Sequence, residues 1–143
     1  MYKRILVPLD GSDTSRRGLT EAIGLAGALG SSLRLVHVTT DVQWLVESAA
    51  LAYSESLRLE QRRFGETLLA AAEKTATQSK VPVESRLREA IGVGPAKLII
   101  DEADGCDLIV MGTHGRKGMG RLLLGSDASL VVSDSPVPVL LVR

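Results

Sequence analysis

Short apolar runs alternate with longer amphipathic segments along this chain of 143 residues. The apolar runs predict strands at residues 5–9, 33–38, 83–88, 107–111 and 137–142. Most of them are continuous rather than alternating, as expected for strands covered on both faces. The segments between them predict helices at residues 14–29, 48–78, 95–104 and 126–133. This order predicts one α/β domain over residues 1–143, a doubly wound five-stranded parallel sheet with helices on both faces.

Glycines are spaced in an informative way near the end of the chain. Gly112 and Gly115 follow the fourth predicted strand, and Gly125 with Ser126 precedes the last predicted helix. Glycine lets backbone N–H groups approach an anion closely, and the N-terminus of a helix adds partial positive charge. Residues 113–124 also contain basic side chains and no acidic one. The pattern favours a polyphosphate ligand, with an ordinary turn in a solvated basic loop as the alternative.

Two familiar phosphate loops are excluded by the glycine spacing. Gly120 and Gly125 have four residues between them, but Ser126 follows where a Walker loop requires Lys. The dinucleotide fingerprint needs a third glycine, and its two possible positions are Lys97 and Leu123. The position of Asp10 after the first strand suggests instead that it shares a crevice with the glycine loop, if the first and fourth strands are neighbours.

Composition narrows the classes of partner. The 17 basic and 17 acidic residues give no net charge, and 3% aromatic residues leave no stacking platform, so neither nucleic acid nor a membrane is expected as a partner. The first apolar run is too short for a signal peptide, and no run approaches transmembrane length, so a cytoplasmic location is expected. The one cysteine, Cys106, excludes an internal disulfide and is expected to be a buried, inert thiol.

A buried histidine, three helix glycines and one aspartate each have an expected structural role. His37 lies on a buried strand and is expected to be a histidine of the core or the sheet edge with a satisfied hydrogen bond. Gly18, Gly24 and Gly27 lie inside the first predicted helix and are expected to allow close packing against the sheet. Asp10 could act only as a turn or capping residue, although its place at a strand end favours a ligand role.

Residues 3–12, 35–38, 107–115, 124–126 and 136–143 together resemble the universal stress protein family over the whole domain. The resemblance implies an adenine nucleotide alpha-hydrolase-like fold with strand order 3-2-1-4-5, and a homodimer. The glycine pattern resembles that of the ATP-binding members, which implies ATP as the ligand. An apolar last strand at one edge of the sheet predicts that the homodimer pairs through residues 137–142.

Residue roles follow from the resemblance. Pro8 and Asp10 would lie beneath the ribose and adenine, and the backbone of Val38 would pair with the adenine edge. Met111 and Gly112 would flank the ribose. The phosphates would be held by Gly115, Gly125, Ser126 and the backbone amides of Asp127 and Ala128, with His114 and Arg116 as further contacts inside the motif.

Asp127 departs from the family pattern, which often has an apolar or small residue there. Its carboxylate could repel ATP, could point away as a favourable first-turn acid, or could hold a phosphate-bound Mg²⁺. A metal site is therefore open at Asp10 or Asp127.

Three functions remain open. The first is an ATP-binding regulatory stress-response protein, in which bound nucleotide orders the loop at 113–124 and changes the surface offered to an unidentified protein partner. The second is a slow Mg²⁺-dependent ATPase or phosphotransferase, and the third is an interaction protein that needs no nucleotide. The sequence offers no obvious activated nucleophile with its base, so binding without efficient turnover is expected.

Overall fold

The computed structural model of the chain describes residues 1–40, 51–115 and 123–143, with the backbone alone described for residues 51–54. Nine elements follow one another in this part of the chain: β1 (Arg4–Pro8), α1 (Asp13–Leu29), β2 (Ser32–Thr39), α2 (Leu51–Gln78), β3 (Val83–Glu89), α3 (Pro95–Glu102), β4 (Leu108–Gly112), α4 (Ser126–Asp134) and β5 (Val139–Val142).

The strands form one parallel sheet in the order β3-β2-β1-β4-β5. Strand order reverses between β1 and β4, which are paired in the register Ile5↔Leu108. The predicted doubly wound sheet and its strand order are therefore confirmed. The loops that leave β1 and β4 begin side by side, where ligands bind in sheets of this kind.

Two aliphatic clusters cover the two faces of the sheet. Ile5 and Val7 point to one face, where Ala22 of α1 and Leu69 of α2 cover them. Leu6 points to the opposite face, into a cluster with residues of α3 and α4. Side chains of a strand alternate between faces, so a strand buried on both must be apolar throughout, as β1 is.

Arg34 of β2 fixes the end of α3. Its Nη1 donates to the carbonyl oxygens of Glu102 at 2.9 Å and Asp104 at 2.7 Å, and its Nε donates to Glu84 Oε1 at 2.8 Å. The hydrogen bond from Arg34 holds the pKa of the Glu84 carboxyl below its usual range. A cation at the last carbonyls satisfies a helix C-terminus, and α3 is thereby anchored to the sheet.

Only one of the three predicted helix glycines packs against the sheet. A Cβ atom built at Gly18 would lie 3.5 Å from the backbone of Met111 and Gly112, an ordinary contact distance. Gly24 and Gly27 are exposed, with no atom within 4 Å of a built Cβ, so the prediction was wrong for them. They lie on the side of α1 that faces away from the sheet.

Within the described residues, two element ends differ from the sequence prediction by more than one residue. β5 begins at Val139 rather than residue 137, because Val137 N–H bonds Ser135 Oγ at 3.2 Å in a turn and Pro138 has no N–H to donate. α3 ends at Glu102 rather than residue 104, because Gly105 takes a φ of 73° and turns the chain towards β4.

Candidate functional site

The carboxyl ends of β1, β2 and β4 open into a cleft of about 990 Å³. Eleven of the twelve residues singled out from the sequence line it: Pro8, Asp10, Val38, Met111, Gly112, His114, Gly115, Gly125, Ser126, Asp127 and Ala128. The twelfth, Arg116, lies outside the described residues, as do Lys117 and Arg121. The topology thus brings together residues that are far apart in the chain.

The two halves of the glycine motif are in direct contact. Gly125 N–H donates to Thr113 O at 2.8 Å, and a Cβ atom built at Gly125 would lie 3.3 Å from that oxygen. Thr113 N–H in turn donates to Val142 O of β5 at 2.9 Å. Backbone at both ends of the motif therefore lines one side of the cleft.

The first turn of α1 supports the same loop. Thr14 Oγ1 donates to the carbonyl oxygen of His114, and Ser12 caps α1 by accepting from Ser15 N–H at 3.2 Å. A Cβ atom at Gly112 would lie 2.8 Å from the carbonyl carbon of Thr14. Only glycine allows α1 to approach the end of β4 so closely.

Asp10 forms the predicted turn, and its carboxylate also lies beside the glycine motif. Its Oδ1 accepts from Ser12 N–H at 2.9 Å, which is an Asx turn, and Gly11 between them has a φ of 84°. Its Oδ2 faces Gly115, because a Cβ atom built there would lie 2.8 Å away. The turn therefore holds a carboxylate against the glycine loop.

His114 carries a buried nitrogen. Its Nδ1 lies 2.9 Å from Thr113 Oγ1, whereas its Nε2 is buried with no hydrogen-bond partner in the described part of the chain. A buried polar atom without a partner is uncommon and costly. His114 is one of the residues that line the cleft, so this nitrogen is a group that a ligand could satisfy.

The backbone of Val38 faces the cleft. Even-numbered residues of β2 bond towards β1 and odd-numbered ones towards β3, since Ser32 N–H donates to Lys3 O at 2.9 Å and Leu33 N–H to Pro82 O at 2.8 Å. Val38 is even and lies beyond the last β1–β2 pair, Pro8↔Val36. Its N–H and C=O therefore point to the space past the end of β1.

His37 fulfils the expectation of a buried histidine with a satisfied hydrogen bond. It is 5% exposed, and its Nδ1 lies 2.7 Å from Leu9 O. A carbonyl only accepts, so Nδ1 carries the proton. The ring also meets Phe64 of α2 edge-on, with ring centroids 5.7 Å apart.

Helix α2 forms one side of the cleft with residues that the sequence pattern did not single out. Leu57, Glu60, Gln61 and Phe64 line the cleft at helical spacing, and Phe64 lies against Gly11. Pro95 and Ile99 of α3 line it as well. The three- and four-residue spacing along α2 was a visible signal, but its partner surface depends on how α2 crosses the strand ends.

The N-terminus of α4 completes the site. Gly125 caps the helix without a side-chain hydrogen bond, so the first backbone N–H groups, at Ser126, Asp127 and Ala128, have no partner from a capping side chain. Asp127 is half-buried in this turn and lines the cleft. Asp10 and Asp127 are two carboxylates at one site, although no group of three or more metal-ligating residues occurs within the described residues.

Cys106 lies away from the cleft. It is 7% exposed and its Sγ donates to Glu102 O at 3.7 Å. Burial raises the pKa of the Cys106 thiol, so the reactive thiolate is disfavoured. No helix among residues 1–40, 51–115 and 123–143 is long and apolar enough to cross a membrane.

Known proteins match the chain over its whole length. The model of the universal stress protein family matches residues 1–143. A universal stress protein of Thermus aquaticus is 39% identical over 146 residues and covers 100% of both chains. Universal stress protein UspA from Lactobacillus plantarum superposes with a TM-score of 0.86 at 26% identity, over 99% of this chain and 98% of that one. A universal stress protein solved in complex with cAMP has a TM-score of 0.72 at 25% identity, over 99% of this chain and 97% of that one. The chain belongs to the universal stress protein family.

Proposed function

We propose that this protein binds ATP, with Mg²⁺, and acts as a nucleotide-dependent regulatory protein of the stress response in the cytoplasm. The observation that carries the proposal is one cleft lined at one end by the glycine motif and at the other by the open backbone of Val38. Backbone N–H groups at a helix N-terminus suit phosphates. The relative solved with cAMP is a complex with an adenine nucleotide, which supports this ligand class.

Adenine follows from the donor and acceptor pattern at Val38. Its N–H can donate to N1 of adenine, and its C=O can accept from the 6-amino group. Guanine presents the opposite pattern at these two positions, an acceptor at O6 and a donor at N1. An unmatched buried hydrogen-bonding group is penalised, so GTP would bind more weakly than ATP.

Asp10 or Asp127 would hold Mg²⁺ through the phosphates, since carboxylates and phosphate oxygens are the ligands this ion prefers. The ion would neutralise phosphate charge beside these two carboxylates. His114 Nε2, buried without a partner in the described residues, would gain a phosphate contact. Each of these roles concerns binding, and none of them requires hydrolysis.

Calorimetric titration with ATP and GTP, both with Mg²⁺, tests the binding proposal. We expect ATP to bind and GTP to bind at least tenfold more weakly, about the effect of one mismatched hydrogen-bond pair. Gly115→Val should weaken binding severely, because its side chain would crowd Asp10 and exclude the phosphates from the loop. Gly24→Val, the same change at an exposed glycine with open space around it, is the matched control. No binding of ATP up to millimolar concentration would refute the proposal.

Amide hydrogen exchange tests the regulatory role. We expect a non-hydrolysable ATP analogue to protect the backbone of residues 113–124, because phosphate contacts offset the entropy of ordering a glycine-rich loop. Residues 116–122 of this loop lie outside the described residues. Protection only with hydrolysable ATP would favour the slow ATPase. Unchanged protection despite binding would refute the nucleotide switch, and a purified protein without nucleotide affinity would favour the interaction protein.

A further inference from the structure

The ladder between β1 and β2 stops one hydrogen bond early. Leu9 N–H donates to Val36 O at 2.8 Å, as a parallel ladder requires. The next bond of a parallel ladder would run from Val38 N–H to Leu9 O. That bond is missing among the backbone hydrogen bonds of the described residues.

The imidazole of His37 takes the place of the missing bond. Its Nδ1–H donates to Leu9 O at 2.7 Å, so the carbonyl that would have accepted from Val38 is already occupied. The donor is the side chain of the residue just before Val38. One histidine therefore satisfies the last carbonyl of the ladder and leaves the neighbouring amide pointing into the cleft.

The surroundings of His37 hold its ring in this position. The residue is 5% exposed, and a Cβ atom built at Gly65 of α2 would lie 2.6 Å from its Cδ2. Phe64 meets the ring edge-on. A ring confined on the side of α2 keeps its nitrogen on Leu9 O.

We propose that His37 is a positioning residue for the nucleobase: by occupying Leu9 O it keeps the Val38 N–H free to recognise adenine. The proposal rests on the proposed function. Without the imidazole, Leu9 O would need another donor, and Val38 N–H is the one that the ladder geometry offers. The strand pair would then close by one bond, and the adenine edge would lose its donor.

A pair of substitutions of equal size isolates the hydrogen bond. In His37→Asn the amide nitrogen can replace the Nδ1–H donor, whereas His37→Leu has the same shape without a donor. We expect His37→Leu to bind adenosine roughly tenfold more weakly than His37→Asn does, about the effect of one lost hydrogen bond. Both variants should bind inorganic tripolyphosphate equally, because the contacts of His37 in the described part of the chain are with Leu9 O and with α2. Thermal unfolding of both variants reports their stability.

Several outcomes overturn the proposal. Equal adenosine affinity of the Leu and Asn variants would show that the donor is irrelevant. Equal losses for adenosine and tripolyphosphate would show a general structural effect. A wild-type protein that binds tripolyphosphate but no adenosine would refute this inference and the adenine part of the proposed function, whereas failure to bind either ligand would refute the whole proposed function.

Amide exchange of the wild-type protein tests the same point without any variant. The Val38 amide should exchange readily in the free protein and become protected when adenosine binds. A Val38 amide that is already protected in the free protein would contradict the proposal, even if both variants fail to fold.

Discussion

Gly112→Ala should destabilise the protein at the point where α1 meets the end of β4. The added Cβ would lie 2.7 Å from Thr14 Oγ1, and 2.8 Å from both the Cβ and the carbonyl carbon of Thr14. Of these three atoms, rotation about χ1 of Thr14 can move only Oγ1, so the backbone of α1 must move by roughly half an ångström. Overpacking of this kind costs about 1–3 kcal/mol. For a domain of this size that lowers the melting temperature by roughly 2–12 °C.

The matched control is Gly24→Ala on the exposed side of α1. No atom lies within 4 Å of a Cβ built there. Alanine is the better helix former, so this variant should gain up to about 1 kcal/mol. Urea unfolding followed by circular dichroism measures both free energies.

The ATP affinity of Gly112→Ala is a second measurement of the same displacement of α1. Thr14 also donates to His114 O, so a shift of α1 in Gly112→Ala should displace the glycine loop and weaken ATP binding. The reasoning fails if Gly112→Ala is as stable as Gly24→Ala, or if it is destabilised while its ATP affinity stays at the wild-type value.

The remaining predictions concern charge and assembly. Asp127→Asn should raise the affinity for metal-free ATP roughly threefold, because it removes one negative charge about 7 Å from the phosphates in water. Calorimetry in EDTA measures this affinity. Asp134→Asn, at the far end of α4, is the control and should leave the affinity unchanged. Hydrogen bonds from Arg4 and Lys3 N–H hold the pKa of the Asp107 carboxyl below its usual range. This stabilisation is present above pH about 4 and is lost as pH falls through the lowered pKa, so acid unfolding of Asp107→Asn should lack that part of the pH dependence. β5 is an edge strand with Leu140 39% exposed, and we predict a homodimer through it; Leu140→Lys should sediment as a monomer at tens of micromolar, and a monomeric wild type would refute the prediction.

Much of the fold follows from local sequence because parallel strands buried on both faces are apolar throughout. Residues 5–9 and 107–111 could be recognised as strands for this reason. The hydrophobic pattern does not fix the first and last residues of an element, because these depend on single hydrogen bonds. β5 starts late because Pro138 lacks an N–H, and α3 ends early because Gly105 turns the chain.

The residues that line the cleft were likewise only partly predictable from the sequence. The sequence indicated the residues on the glycine-motif side of the cleft, because the spacing of Gly112, Gly115 and Gly125 is a local signal with a physical reason. It did not indicate Phe64 or Gln61, because the place where α2 crosses the strand ends is set by packing. Gly65 allows that crossing because a side chain at this position would collide with His37 and Leu87. The residues next to Gly65 in the sequence give no indication that it packs against these two side chains.

By itself, the sequence determined the class of fold, the family and about half of the residues that line the cleft, those of the glycine motif and the strand ends. These properties rest on hydrophobic periodicity and on residue types at fixed spacing, which are local. Only the tertiary structure decided how the parts meet: Asp10 against Gly115, Thr14 against Gly112, and the His37 imidazole on Leu9 O. Each contact joins segments that are distant in the chain, and the register of the parallel strands determines which atoms face each other.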